Sequence, residues 1–236
     1  MKGISRCRRP TKCSQSLRSV ASRRVKRVIT TAGASLPCWN PPTDSSCSLR
    51  KPISNADRAQ HAQKGLQQVL AALERCHGEK GGRLQVLFCG DGPLKSELEE
   101  LAARLGVSDR VRFLGFVPDL SSLLMAFDMA VLPSLYEGLS YVLLECLTSG
   151  IPLIVSNILA NVPRPDLRNC LQTFEVGDID TLAGALEKTA EEPEWAKERA
   201  AFGVEFMKTD FRLSNQADKL AVLYNGLLRS GSKTGR

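Results

Sequence analysis

The chain reads as an α/β protein built on one doubly wound, mostly parallel sheet. Short apolar runs of four to six residues recur at 84–89, 111–114, 129–133 and 152–156. Segments with apolar residues at helical spacing lie between them. Gly106, Asp119, Pro133 and Gly150 mark the changeovers. Strands alternating with helices need crossover connections, which are right-handed and leave the loops after the strands on one edge of the sheet.

Each element has its own warrant. Leu66, Val69, Leu70 and Leu73 share one helical face, which predicts a helix over 66–76. The run 84–89 predicts a strand. Leu94, Leu98, Leu101 and Leu105 form a second helical stripe, ended by Gly106. A strand at 111–114 follows, and Asp119 caps a short helix through Ala126. The run 129–133 is apolar and ended by proline, as a buried strand is. Ser140 is a good N-cap, 141–149 is helical, and Gly150 fits the C′ position. A strand is expected at 152–156. Helices are expected at 181–190, 195–206 and about 214–228. The loops 90–93, 116–119 and 133–140 then share one crevice. No tandem repeat is visible.

The stretch Pro133-Ser-Leu-Tyr-Glu-Gly-Leu-Ser-Tyr-Val-Leu-Leu-Glu-Cys-Leu-Thr-Ser-Gly-Ile-Pro152 carries the chemistry. Glu137 and Glu145 stand in surroundings that are almost entirely apolar or small. A buried carboxylate costs several kcal/mol unless something pairs with it. Gly138, Leu139 and Ser140 offer free backbone N–H groups at a helix start, an arrangement that favours phosphate. Glu145 lies five residues past the cap, roughly 7.5 Å along the axis. Its Cβ tilts back toward the N-terminus, within reach of a group attached to that phosphate. A ribose has the right size, and its hydroxyls donate to an ionised carboxylate. Glu137, in the loop, faces the far side of the phosphate. The plainer reading is a buried Glu satisfied by an Arg or by backbone.

Other pieces are less specific. Gly90-Asp-Gly-Pro93 follows a strand and opens a helix, as a phosphate loop does. It lacks the third glycine of a dinucleotide fingerprint, and Asp91 repels phosphate. Phe116, Val117 and Pro118 either flank a base or pack. Asp178-Ile-Asp180 is formally Asp-x-Asp, but it precedes a helix and capping by Asp180 explains it.

Together these residues resemble the retaining glycosyltransferases with the GT-B fold and a Glu-x7-Glu signature, the group 1 or family 4-like enzymes. Val86-Leu-Phe-Cys-Gly-Asp-Gly-Pro-Leu94 is similar to the family's strand and Gly-x-Gly-Pro turn. Asp109-Arg-Val-Arg-Phe-Leu-Gly-Phe-Val-Pro-Asp119, Gln63-Lys-Gly-Leu66 and Gly150-Ile-Pro-Leu-Ile-Val-Ser156 resemble further segments of it. The resemblance runs over roughly 60–229 and covers the second, nucleotide-sugar-binding domain of such an enzyme. It implies a Rossmann-like fold, the C-terminal half of a GT-B pair, and a nucleoside-diphosphate sugar as donor substrate. It implies no metal and no other cofactor. Glu137 would position the sugar, as the catalytic carboxylate, and Glu145 the ribose. Lys64 and Arg58 would meet the diphosphate, with Gly90 and the helix start at Gly138, Leu139 and Ser140. Phe116 and Val117 would flank the base. Arg58 stands one residue from the expected place, and the glycine and strand expected before it are missing. Two functions follow: a glycosyltransferase that transfers the sugar with retention and needs an acceptor-binding domain or subunit, or a non-catalytic nucleotide-sugar-binding domain. A nicotinamide-binding oxidoreductase is disfavoured by the incomplete glycine fingerprint.

Composition divides the chain. Residues 1–51 hold twelve Lys or Arg and one acid, Asp44, so the formal net charge of +7 comes from this end. Residues 1–54 therefore read as a basic, Ser-, Arg- and Pro-rich disordered tail, with 55–236 as the folded domain. The tail is open to several uses: an organelle transit peptide, contact with an anionic membrane through Arg23-Arg-Val-Lys-Arg27, or a solvated end. No aromatic residues interleave the charges, so specific nucleic-acid binding is not expected. No apolar run reaches the ~18 residues of a membrane span. The eight cysteines form no Cys-x-x-Cys pair, and His61 and His77 stand apart, so neither metal nor redox chemistry is indicated. A cytoplasmic protein, peripheral to a membrane if the tail binds one, is the expectation.

Overall fold

The computed structural model describes residues 26–31, 64–76, 84–138, 140–162 and 164–231. Six parallel strands form one sheet: β1 (Lys26–Thr31), β2 (Leu84–Cys89), β3 (Val111–Gly115), β4 (Met129–Leu132), β5 (Leu153–Ser156) and β6 (Leu171–Phe174). Their spatial order is β3-β2-β1-β4-β5-β6. Among the described residues the α-helices are α1 (Leu66–Arg75), α2 (Lys95–Arg104), α3 (Leu120–Leu124), α4 (Tyr141–Ser149), α5 (Ile179–Glu191), α6 (Pro193–Thr209) and α7 (Leu213–Gly231).

The strands are apolar on both sides because both faces of the sheet are covered. Side chains alternate across a strand. Val28, Met129, Val131 and Ile154 therefore join the core under α1, α2 and α5. Their neighbours Ile29, Ala130, Leu132, Leu153 and Val155 join the opposite core, with α3 and α4. The helices expected from sequence all form, with ends shifted by a few residues. β6 was not foreseen. Only Leu171 and Phe174 of its four residues are buried, so it lacks the continuous apolar run of the other strands.

One reading is overturned. The segment 1–54 is not a tail throughout, because Lys26–Thr31 is the central strand, paired with β2 and β4. Two charged residues begin this strand and hide a short apolar run. Asp128 accounts for them: it accepts from the Arg27 backbone N–H at 2.8 Å and lies 3.7 Å from Lys26 Nζ. Arg27 O in turn accepts from Asp128 N at 3.0 Å. This strand also supplies what the sequence lacked before Lys64. The rest of 1–54 lies outside the described residues. A second correction concerns α5, whose N-cap is Asp178, accepting from Thr181 N at 2.9 Å. Asp180 sits in the first turn and pairs with Arg75.

β1 and β4 are neighbours, while the chain leaves β1 toward β2 and leaves β4 toward β5. Connections thus run to opposite sides, and a crevice opens outside the carboxyl ends of these two strands. Among the described residues, no helix is long and apolar enough to cross a membrane.

If β1 is core, Ile29→Ala should cost about 2–4 kcal/mol, the usual range for a buried large-to-alanine change. Urea denaturation reads this directly. A shift within about 0.5 kcal/mol would return the segment to the status of a surface tail.

Candidate functional site

Local chemistry builds the site loop. β4 runs into Pro133, and Ser140 then starts α4, its Oγ accepting from Leu143 N at 3.4 Å. Gly150 closes the helix in the left-handed region at φ 70°. Gly138 is exposed just before the helix start. Leu139 and Arg58 lie outside the described residues.

Glu137 is gripped on one oxygen. Lys64 Nζ donates to its Oε1 at 2.5 Å, and Ser134 Oγ donates to the same Oε1 at 2.9 Å. The Lys64 and Glu137 side chains are only 20% and 14% exposed. Oε2 takes no hydrogen bond among the described residues, so one carboxylate oxygen is fixed and the other is available as an acceptor. Lys64, expected on a diphosphate, here neutralises Glu137. An ammonium has three donors, so this pairing leaves two for a phosphate.

The Lys64 turn is locked against the same loop. Gly65 has φ 62°, and a Cβ there would lie 2.1 Å from the Pro133 carbonyl oxygen. Gln68 bridges three segments: its Nε2 donates to Pro133 O at 3.2 Å and its Oε1 accepts from Gly177 N at 2.6 Å. Sequence reading missed Gln68 and Ser134. Only their nearness to the Lys-Gly and Glu-Gly pairs marked them.

Glu145 has different surroundings. It lines a groove of about 380 Å³ between α3 and α4, with Ser121, Met125, Tyr141, Leu144, Thr148 and Ser149. The plainer alternative, an arginine or backbone group satisfying this carboxyl, is not met at Oε2 among the described residues. Oε2 is enclosed and has no hydrogen-bond partner among the described residues. Burial, and then the nearby carboxylate of Asp119, raise its pKa above the ordinary range. Asp119 itself is held low by its hydrogen bonds to Ser122. This second carboxylate near Glu145 was read in the sequence only as a helix cap.

The remaining candidates separate. Phe116 is 72% exposed, whereas Val117 packs on the core. Gly90, at φ 118°, spends its N–H on Gly115 O at 2.7 Å, so this donor does not face a phosphate. The pocket beside Gly90 is apolar and only about 20 Å³, room for one water at most. Cys76, Cys89, Cys146 and Cys170 are buried and form no disulfide among the described residues. Burial pushes the Cys76 thiol up to about 12 and raises Cys146 as well, which disfavours the reactive thiolate.

Two outcomes test this geometry. Gly65→Ala puts a methyl into a backbone carbonyl at a left-handed position, so it should destabilise the fold by at least ~1 kcal/mol and weaken any ligand held by Lys64. A variant with unchanged melting temperature would refute the close approach. For Glu145 the sign follows from linkage. A raised folded-state pKa favours the neutral form. Its stabilisation is full below the ordinary glutamate value, about 4.3, and is lost as pH rises through the raised value. Glu145→Gln should therefore melt higher than wild type at pH 7.5, and the gap should close toward pH 4. A constant gap across that window would contradict an enclosed, unpaired carboxyl.

Comparison with known proteins places the chain in a family. The model of the glycosyl transferases group 1 matches residues 53–192, more than half of the 236-residue chain. β1 lies outside that stretch although it is the central strand. Alpha-D-kanosaminyltransferase of Streptomyces kanamyceticus is 29% identical over 167 residues, covering 69% of this chain and 42% of its own length. UDP-Gal:alpha-D-GlcNAc-diphosphoundecaprenol alpha-1,3-galactosyltransferase of Escherichia coli is 34% identical over 114 residues, 45% of this chain and 28% of its own. Among solved structures, Anabaena Alr3699/HepE in complex with UDP-glucose superposes with a TM-score of 0.66 at 19% identity, over 91% of this chain and 54% of that one. The chain thus spans less than half the length of these curated relatives. The Rossmann-like fold is shared at low identity with about half of a GT-B structure, and the family model takes in the greater part of the sequence: the protein belongs to the group 1 glycosyl transferases.

Proposed function

We propose that this chain binds a nucleoside-diphosphate sugar and serves the donor side of a retaining glycosyl transfer. The observation that carries the reading is Glu145: an ionisable oxygen enclosed without a partner among the described residues, beside a groove large enough for a nucleoside. Ribose hydroxyls are donors, and with the carboxyl turned toward the groove they would give that oxygen the hydrogen bonds it lacks. The diphosphate would sit at the start of α4, against backbone N–H groups at Gly138 and Ser140, with Lys64 and Arg58 as cations. The sugar would then reach the open Oε2 of Glu137, and the exposed Phe116 would cover the base. HepE, solved with UDP-glucose, supports this class of ligand.

Chemically, such a site stabilises a departing diphosphate with positive charge and N–H donors, in a place where they need no reorganisation. The oxocarbenium-like sugar lies between that phosphate and Glu137. Glu137 is already neutralised by Lys64, which suits hydroxyl positioning better than attack on the anomeric carbon. The acceptor and its base would come from an acceptor-binding domain or a separate subunit. Donor binding needs no divalent metal.

A second reading is a binding domain without turnover, and α7 offers either reading a contact surface. There Leu220, Val222, Leu223, Tyr224, Leu227 and Leu228 are each more than half exposed. An apolar helix face of this kind usually meets another protein surface.

Ligand-observed NMR with UDP-, GDP- and ADP-sugars tests the first reading. At least one should bind, EDTA should leave that binding within about twofold, and Glu145→Ala should weaken it about 10- to 100-fold, the range for hydrogen bonds to a charged group. Equal binding by wild type and variant would remove the ribose role. Turnover with the α-anomer retained separates the catalytic reading from the binding one.

A further inference from the structure

The loop that carries Glu137 is held from behind by a relay of hydrogen bonds reaching across β5. Asn161, in the connection after β5, donates from Nδ2 to Ser156 Oγ at 3.0 Å and to Ser156 O at 3.2 Å. Ser156, the last residue of β5, donates from Oγ to the Ser134 carbonyl at 2.5 Å. Ser134 donates from its own hydroxyl to Glu137 Oε1 at 2.9 Å. All donors run in one direction and end on the carboxylate.

The relay is deeply buried: Ser156 and Asn161 are 0% exposed and Ser134 is 5%. Enclosed polar groups of this kind add little net stability, because forming their bonds only offsets the water they lose. Asn161 even leaves its Oδ1 without a partner among the described residues, which is a net cost. What a buried, directional network does supply is a fixed geometry. Here the fixed object is the backbone at Ser134, three residues before Glu137. With Ser134 anchored, its hydroxyl and Lys64 both meet Oε1, and Oε2 stays open.

We propose that Ser156 and Asn161 are positioning residues for donor-sugar recognition, acting through Ser134 to hold Glu137 with one oxygen presented to the sugar. This rests on the reading of Glu137 as the sugar-binding carboxylate. Neither residue touches the ligand. Their effect falls on the sugar and not on the nucleotide, because Glu145 and the groove beside α3 lie outside the relay.

Ser156→Ala cuts the relay at its middle with a minimal change of volume. Calorimetric titration of the full chain with UDP-glucose and with UDP reads the two parts of the donor separately. Crystal structures of the ligand-free wild type and variant read the position of Glu137. The proposal expects about tenfold weaker binding of UDP-glucose, the size of one hydrogen bond of ordinary strength. It also expects UDP binding within twofold, and Glu137 released from Ser134. Equal weakening of both ligands with a lower melting temperature would show a structural role only and overturn it. So would unchanged binding with Glu137 in place. If the wild type gains no affinity from the glucose while the variant still frees Glu137, the sugar-binding reading falls and the positioning role stands.

Discussion

The parting of the chain at β1 and β4 is the constraint on which the site depends. Two parallel strands lie side by side, and their connections leave in opposite directions. No crossover helix can cover the edge between them, so a crevice must open there. Lys64 ends the long connection out of β1, and Pro133–Glu137 is the turn out of β4. Gly65 and Gln68 bring these two segments into backbone contact. The ion pair between Lys64 and Glu137 is a consequence of topology before it is a matter of chemistry.

The two glutamates solve opposite electrostatic problems. Glu137 has a cation, a hydroxyl and a buried relay behind it, so its charge is paired. Glu145 has burial and a second carboxylate for company, so its charge is costly. The fold holds one acid ready and keeps the other under-satisfied. A ligand that brings donors to Glu145 gains from relieving that cost, and the same ligand can meet the free oxygen of Glu137. On the proposed reading, stability is traded for recognition at one residue, on a helix that is otherwise ordinary core.

Much of this was legible in the residues. The helix cap at Ser140, the closing glycine at Gly150 and the isolated acids of α4 are local signals, and local signals survive in a single sequence. Asp128 shows what does not. It lies 101 residues from Arg27, yet it makes a charged stretch acceptable as a central strand. β6 was missed because half of it is polar, and an edge strand needs burial on fewer positions. The relay from Asn161 to Glu137 joins residues 24 apart across two strands, and nothing at Asn161 itself marks it. Capping at 178–180 was displaced by two residues because both aspartates are competent and only the backbone chooses.

The central claim is that a sugar nucleotide completes the coordination of Glu145. Carboxyl carbon NMR can follow the titration of that residue directly, in the free chain and with a saturating nucleotide sugar. Ribose hydroxyls stabilise the ionised form, so ligand should move the Glu145 pKa down from its raised position. A carboxyl that titrates at the same pH with and without ligand, while the ligand is bound, would contradict the claim.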